Sequence, residues 1–447
     1  MSSPLGRNGA IALVAVLGVA LLAHGPALWG GFLYDDFNDV IRNPSALAES
    51  FVRRVAVMSR PVLKASYALQ DALHGPWAAG YHAVNLVLHL VAAGLVLMLL
   101  RRAAALAGQP EAAALWIGAL AAGLWAAHPA TVDAVGQVAG RSAVLSGVLV
   151  LGAIGAATAP RARPLLAASC AALAPLARET ALVAPLLLLV WHLCLVQPDR
   201  LRRAVPVWLG AGLAGCVLLA LPRHRDLLAF SLALRDPIDA LRGNLFAVTE
   251  MLRLWLEPWQ IGAVPAQPVI HGWTDAPTIA RLGGLGLAGL AALGLRRVWP
   301  LGALAVLWTA VALAPTNSLI WRVDPVAMRP FHLAGIGLAL GLAAILAHGP
   351  VGRGLAVALI LGLAGLTARR AALLTDPVAL FADAAAKAPG TARPLVLMGM
   401  ALANAGDPAG AEAAFQAALA VDPSDDEAAN ALRLLAAGAL IYSPAPP

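Results

Sequence analysis

Apolar runs separated by short polar turns set the rhythm of this chain. A helix needs roughly 20 mainly apolar residues to cross the hydrocarbon of a bilayer. Runs near that length recur at 9–25, 81–100, 112–127, 142–160, 164–177, 180–196, 204–221, 278–295, 299–315, 331–347 and 351–367. The pattern predicts an all-α polytopic membrane protein with about 11 transmembrane helices. Basic residues mark alternate ends of these runs: Arg7, Arg101–Arg102, Arg161 and Arg163, Arg200, Arg202 and Arg203, Arg296–Arg297, and Arg353. The positive-inside bias assigns those ends to the cytoplasm. The opposite loops, 26–80, 222–277 and 316–330, then face outward. The segment 244–259 is long enough to span but carries Glu250, Arg253 and Glu257. A twelfth crossing would break the alternation, so it reads as an interfacial or re-entrant helix on the outer side, with Trp255 and Trp259 at headgroup depth. The first run resembles the apolar part of a signal peptide, but no clean small-x-small site follows it, and it is read as an uncleaved first span.

Beyond residue 375 the pattern changes. The membrane body covers 1–370, and 376–440 shows the alanine-rich, acidic periodicity of paired helices. Residues 392–425 fit one 34-residue tetratricopeptide unit. Leu395, Met398, Gly399 and Leu402 mark its first helix, and Ala411, Phe415, Ala418 and Pro423 its second helix and the following turn. One period earlier stand Phe381, Ala384 and Pro389, and 425–438 supplies another first helix. Three repeats are normally needed for independent stability, so this short α-hairpin module is expected to lean on the body or a neighbour. It reads as a packing module, either a peptide-binding platform or a capped helical appendage.

Composition agrees with the pattern. The chain is 60% hydrophobic and 12% charged, with mean hydropathy +0.78, which excludes an ordinary soluble enzyme. Its net charge of +7 divides into a body of +12 and a tail of −5. No dense Lys/Arg run interleaves with aromatics, so the basic body is matched to anionic lipid and nucleic acid is not an expected partner. Cys170, Cys194 and Cys216 each lie in an apolar run without metal-ligand spacing.

Candidate chemistry gathers at the outward ends. In GGFLYDDFNDVIRNP, residues 30–44, Asp35 and Asp36 stand just beyond the first span. Adjacent acids there can supply a general base, hold a divalent cation, or be solvated loop charges. Arg60, His128, Asp133, Arg141, Arg178, Glu179 and Arg329 also border spans on that side. A charge at membrane depth costs at least about 2.5–3.5 kcal/mol, so their recurrence on one side points to a shared polar cavity. Tyr81, His82, Asn85 and His89 form a helical stripe whose polar members read more readily as glue between helices than as substrate contacts.

The succession YDDF, MSRPVLKASYALQDALHG, YHAVNLVLHL, HPATVDAVGQVAGRSAVLS, LARETALVAPLLLL and MRPFHLAGIGLAL, followed by the repeat tail, resembles bacterial relatives of the transmembrane and tetratricopeptide-repeat-containing O-mannosyltransferase family. These are polytopic glycosyltransferases of the GT-C class. The resemblance implies inverting transfer of a sugar from a polyprenyl-phosphate carrier to an acceptor hydroxyl, on a protein Ser/Thr or a glycan, at the outer face of the plasma (inner) membrane. It places the catalytic carboxylate at Asp35, with Asp36 beside it. Donor-phosphate binding falls to Arg329 and Arg178 first, then Arg60 and Arg141, with Glu179, His128, Asp133, Asn85 and His89 as supporting polar groups. Arginines alone can neutralise a lipid monophosphate, so a divalent metal is admitted but not required. Related sequences read HPxHVEA and ERYLYLP where this chain has HPATVDA and MRPFHLA, which alters positions 131, 133, 328, 330 and 332, and Arg178 replaces a lysine. Mannose is therefore not assumed as the sugar. Two other classes are weighed: a non-catalytic membrane-anchored scaffold for envelope proteins, and a transporter, which the lack of an obvious inverted repeat disfavours.

Overall fold

The computed structural model describes residues 6–33, 36, 58–197, 199–233, 235–317 and 324–438. Asp35, Tyr34 and residues 37–57 of the segment after α1, read from sequence as an outer loop, lie outside the described residues, as do residues 318–323. Every regular element among the described residues is helical. The principal helices are α1 (Gly6–His24), α2 (Pro61–His74), α3 (Ala78–Leu106), α4 (Glu111–Ala126), α5 (Arg141–Thr158), α6 (Pro164–Ala177), α7 (Ala184–Cys194), α8 (Arg200–Ala220), α9 (Pro222–Ala233), α10 (Pro237–Leu256), α11 (Ala276–Leu295), α12 (Pro300–Leu313), α13 (Phe331–Leu346), α14 (Gly349–Leu373) and, in the tail, α15 (Pro377–Lys387), α16 (Ala392–Asn404), α17 (Pro408–Val421) and α18 (Asp426–Ala436).

Helices stand at all the apolar runs, but they are unequal. Among the described residues six are long and apolar enough to cross a membrane, seven if the bent pair Glu111–Ala126 with Pro129–Val135 is counted as one span. The apolar helices at Pro164–Ala177, Glu179–Cys194, Pro300–Leu313 and Phe331–Leu346 fall short of that length. Proline accounts for part of the shortening, since Pro164 and Pro300 start two of these helices.

The helices pack closely through small residues, as expected where lipid gives no hydrophobic drive between helices. A Cβ on Gly118 of α4 would stand 2.8 Å from the Leu97 carbonyl oxygen of α3. One on Gly337 of α13 would collide with Thr309 of α12.

The bend after α4 is the structural pivot of the body. The chain turns by 59° at His128–Pro129. His128 cannot readily stay helical before a proline, and its Nδ1 accepts the Ala130 N–H at 3.1 Å to cap the short turn that follows. A broken helix leaves carbonyls without intrahelical partners, which is costly away from water. Here His24 and His89 both reach the Ala126 oxygen, at 3.1 and 3.2 Å, and Thr367 donates to the Ala127 oxygen at 2.7 Å. Arg370 donates to the Pro129 oxygen.

Helix α10, over the segment read as interfacial, is not among the membrane-capable helices. Its charges pair along the exposed face, Arg253 with Glu250 and Glu257. Trp259 is exposed, whereas Trp255 corrects the headgroup expectation: it is buried and stacks on the His128 ring at 4.7 Å.

In the tail, α16 and α17 form a hairpin in which Gly399 lets the Phe415 ring lie against the α16 backbone, 2.6 Å from where a Cβ would be. The tail rests on the body as the sequence leads one to expect. Leu380, Phe381, Leu397 and Ala401 share one apolar cluster with Ala27, Leu33, Val132, Ala371 and Leu374. The tail therefore sits at the end of the bundle where α1 leaves and the acidic motif begins. Basic turns gather at other places, with Arg203 donating to the Ala157 and Ala159 carbonyls and Arg101 paired to Glu111.

Candidate active site

The site is assembled where three chain breaks meet: the exit of α1, the turn between the bend and α5, and the segment before α13. Asp36 is buried, and both its oxygens are engaged by backbone amides. Oδ2 accepts from Leu33 N at 2.9 Å and Oδ1 from Ala139 N at 2.7 Å. Burial raises its carboxyl from the usual 3.8 to about 6, against the pull of these amides and of Arg329. Asp36 therefore staples the start of the loop after α1 to the 137–140 turn.

Arg141 opens α5 and is fully buried. Its Nε donates to Asn85 Oδ1 at 2.8 Å and its Nη2 to the Tyr81 carbonyl at 3.0 Å. The guanidinium lies 4.7 Å from the Tyr67 ring centroid and 5.3 Å from that of Tyr81, within cation–π range. Asn85 Nδ2 donates in turn to the Gln137 carbonyl at 2.8 Å, so α3 and the 137–140 turn are locked together. Arg141 Nη1 has no hydrogen-bond partner among the described residues.

Arg329 and Arg178 converge. Both line a small cavity, about 30 Å³, together with Ser146, Thr180 and His332. That is space for two or three waters. Arg178, in extended backbone just after α6, donates to Ser142 Oγ at 3.1 Å and Thr180 Oγ1 at 3.2 Å. Arg329 donates to Gln137 Oε1 and also lines a second, larger cavity of about 250 Å³. His332 also lines the first cavity. Its Nε2 is 3.3 Å from His89 Nδ1, and His89 Nε2 faces the Ala126 carbonyl. A carbonyl only accepts, so His89 Nε2 carries the hydrogen. In neutral rings His89 Nδ1 then accepts from His332 Nε2, which leaves His332 Nδ1 an acceptor without a partner among the described residues.

Several other residues serve the scaffold. Asp133 pairs with Arg370 at 2.6 Å, both nearly buried, tying the bend to the last body helix. His128 donates through Nε2 to the Trp255 carbonyl at 3.0 Å. Arg60 and Glu179 form a two-oxygen ion pair, 3.0 and 3.2 Å, with Arg60 in left-handed backbone at φ 56° before α2. His89 acts as helix glue at the bend. Thr131, where the related pattern carries an imidazole, has His24 Nε2 at 3.2 Å. Arg370 and Gln137 were not singled out from sequence: Gln137 is uncharged, and Arg370 looks like an ordinary flank of the last span.

The arrangement suits an anion held by guanidinium groups next to a carboxylate-bearing loop. A comparison with known proteins points the same way. The chain is 30% identical over 167 residues to Protein O-mannosyl-transferase Tmtc1 of Drosophila melanogaster. The similarity is partial. It covers 34% of this chain and 18% of that protein, and it supports kinship with the family that the motifs resemble. No family model matches the chain, and no solved structure matches it.

Proposed function

We propose that the chain is a membrane glycosyltransferase that moves a sugar from a polyprenyl-phosphate carrier to an acceptor hydroxyl, with inversion. The observation that carries this reading is the convergence of Arg178 and Arg329 on one cavity, with Arg329 bonded to Gln137 of the turn that also holds Asp36, next in sequence to Asp35. In the proposed step the Asp35 carboxylate takes the acceptor's hydroxyl proton while the acceptor oxygen forms a bond to the sugar's anomeric carbon. The anomeric C–O bond to phosphate breaks on the opposite face, and its electron pair leaves with the lipid phosphate. Arg329 and Arg178 stabilise that departing charge, and Arg141 holds the turn on which Arg329 and Asp36 depend.

On this reading the four shorter apolar helices also cross, completing eleven spans, and the basic turns face the cytoplasm of a plasma membrane. The acidic motif and the tail, a short tetratricopeptide array, then share the outer side. Purified protein incubated with labelled polyprenyl-phosphate sugars should release the lipid phosphate and move the label of one of them onto an acceptor. Retention of every label on its lipid, with full-length folded protein and a range of peptide and glycan acceptors, contradicts the assignment.

A further inference from the structure

We propose that the groove between α1, α4 and α14 is a binding site for an anionic phospholipid of the surrounding bilayer, with one acyl chain lying in the groove and the phosphate meeting Arg7 and Arg353. The site lies outside the glycosyl-transfer reading and requires only that the chain crosses a membrane.

The three helices run side by side in one direction. Each starts at the same end of the bundle and finishes near the bend, where His24 and Thr367 meet the Ala126 and Ala127 carbonyls. Toward their starts they leave an open cavity of about 490 Å³. Pockets that take a ligand-sized molecule measure about 300–1,000 Å³. On α1 the lining runs from Asn8 to Val19, roughly 16 Å of helix at 1.5 Å per residue. The hydrocarbon of a bilayer is about 30 Å thick, so the groove has the length of one leaflet, which is the length of one acyl chain.

The lining suits hydrocarbon. Apart from Asn8 at the mouth, it consists of aliphatic side chains, Gly123 and the Trp116 ring. Gly123 lets Ile360 close the floor, since a Cβ there would stand 2.9 Å from Ile360 Cδ1. A sugar or a peptide would leave its polar groups unsatisfied against such walls, whereas a hydrocarbon chain loses nothing.

Charge at the mouth decides which lipid is held. Arg353 lies one turn before Val357, which lines the groove from α14. Its guanidinium is 5.1 Å from the Trp116 ring centroid and its Nε donates to the Ala347 carbonyl at 2.9 Å, so the cation is fixed over a residue of the groove wall. Arg7 is exposed and stands one turn before Ile11, on the lining face of α1. Neither arginine forms an ion pair among the described residues, and Glu111, which opens α4, is already paired with Arg101 at 3.2 Å. The mouth therefore keeps the charge of Arg7 and Arg353. Guanidinium groups bind phosphate through paired N–H donors, and basic residues at the ends of spans favour anionic headgroups. A zwitterionic lipid fills the groove equally well but brings a cation of its own to the two arginines.

The test uses the full-length protein in phosphatidylcholine nanodiscs doped with a phosphatidylglycerol or a phosphatidylcholine that carries a diazirine in its acyl chain, and maps the labelled residues by mass spectrometry. Phosphatidylglycerol should label groove residues such as Ala15, Ala119 and Val357 about tenfold more than phosphatidylcholine does. Arg7→Gln combined with Arg353→Gln should bring the two lipids to the same yield. Ala15→Trp, at an exposed position, fills the groove and should remove labelling there by both lipids while labelling of α8 and α11 stays unchanged. Equal labelling of the parental groove by both lipids, or a phosphatidylglycerol excess that survives in the folded double variant, overturns the proposal. So does displacement of the label by polyprenyl phosphate but not by unlabelled phosphatidylglycerol, which would make the groove a seat for the carrier's chain.

Discussion

Replacing Asp36 by Asn separates holding the loop from keeping the protein folded. The carboxylate accepts the Leu33 and Ala139 amides at 2.9 and 2.7 Å. Asparagine keeps one acceptor oxygen and sets an NH₂ group against the other amide, a donor facing a donor, which costs about 1–3 kcal/mol. Against this, charging Asp36 in the fold is unfavourable. Its carboxyl is raised from 3.8 to about 6, worth roughly 3 kcal/mol that a neutral amide does not incur. The two effects oppose each other and are similar in size, so thermal unfolding should shift by less than about 2 kcal/mol. Activity should respond far more. Slackening the staple displaces Asp35, and a misplacement of about 1 Å near reacting atoms costs on the order of 100-fold in rate. The pH dependence carries a second signature. As pH falls through about 6, Asp36 takes up a proton and an oxygen stops accepting an amide, so the parental rate should fall on the acid side with a limb near 6. That limb should be missing from Asp36→Asn. A variant with parental rate and the parental limb would refute the role given to Asp36.

Other perturbations probe separate parts of the structure. Arg370→Met leaves Asp133 buried without its partner and should destabilise the protein by about 3–5 kcal/mol, read by thermal unfolding in detergent. The double variant with Asp133→Leu should recover much of that loss, and additive losses would show that the pair is not coupled. Gly399→Leu forces a side chain into the Phe415 ring, should cost at least about 1–3 kcal/mol locally, and should expose the α16–α17 hairpin to limited proteolysis before the body is cut. His332→Phe removes the free Nδ1 acceptor beside Arg178 and Arg329 while keeping the ring. It should weaken donor affinity with little change in acceptor KM, and an unchanged donor KM would make His332 a packing residue only.

The helices at the apolar runs were legible because hydropathy marks them, down to the shorter ones that begin at Pro164 and Pro300, whereas α2 and α9 lie in segments that read as loops. Which of these reach across a membrane is not written in hydropathy, since it depends on where breaks such as Ala177–Arg178 fall. The arginines of the candidate site were legible for a physical reason: charge at a span end is costly, and Arg178 and Arg329 do converge on one cavity. Asp133 and His128 carry the same signal, but the partners that hold their side chains could not be read from sequence. Arg370 and Trp255 lie 237 and 127 residues further along, and no spacing rule connects them. Gln137 has no charge to betray it, although its side chain meets Arg329 and its carbonyl meets Asn85. The tail's contact with the body followed from the shortness of its array. Its place beside Arg329 arises only in three dimensions.

Single-turnover transfer tests the account most directly. Protein loaded with a labelled polyprenyl-phosphate sugar is mixed with acceptor, and the parent is compared with Asp35→Asn and Arg329→Gln after each is shown to fold. Each variant is expected to slow label transfer by on the order of 100-fold or more, Asp35→Asn while still binding the lipid. Parental rates in both would mean that neither the acid nor the guanidinium takes part in the reaction.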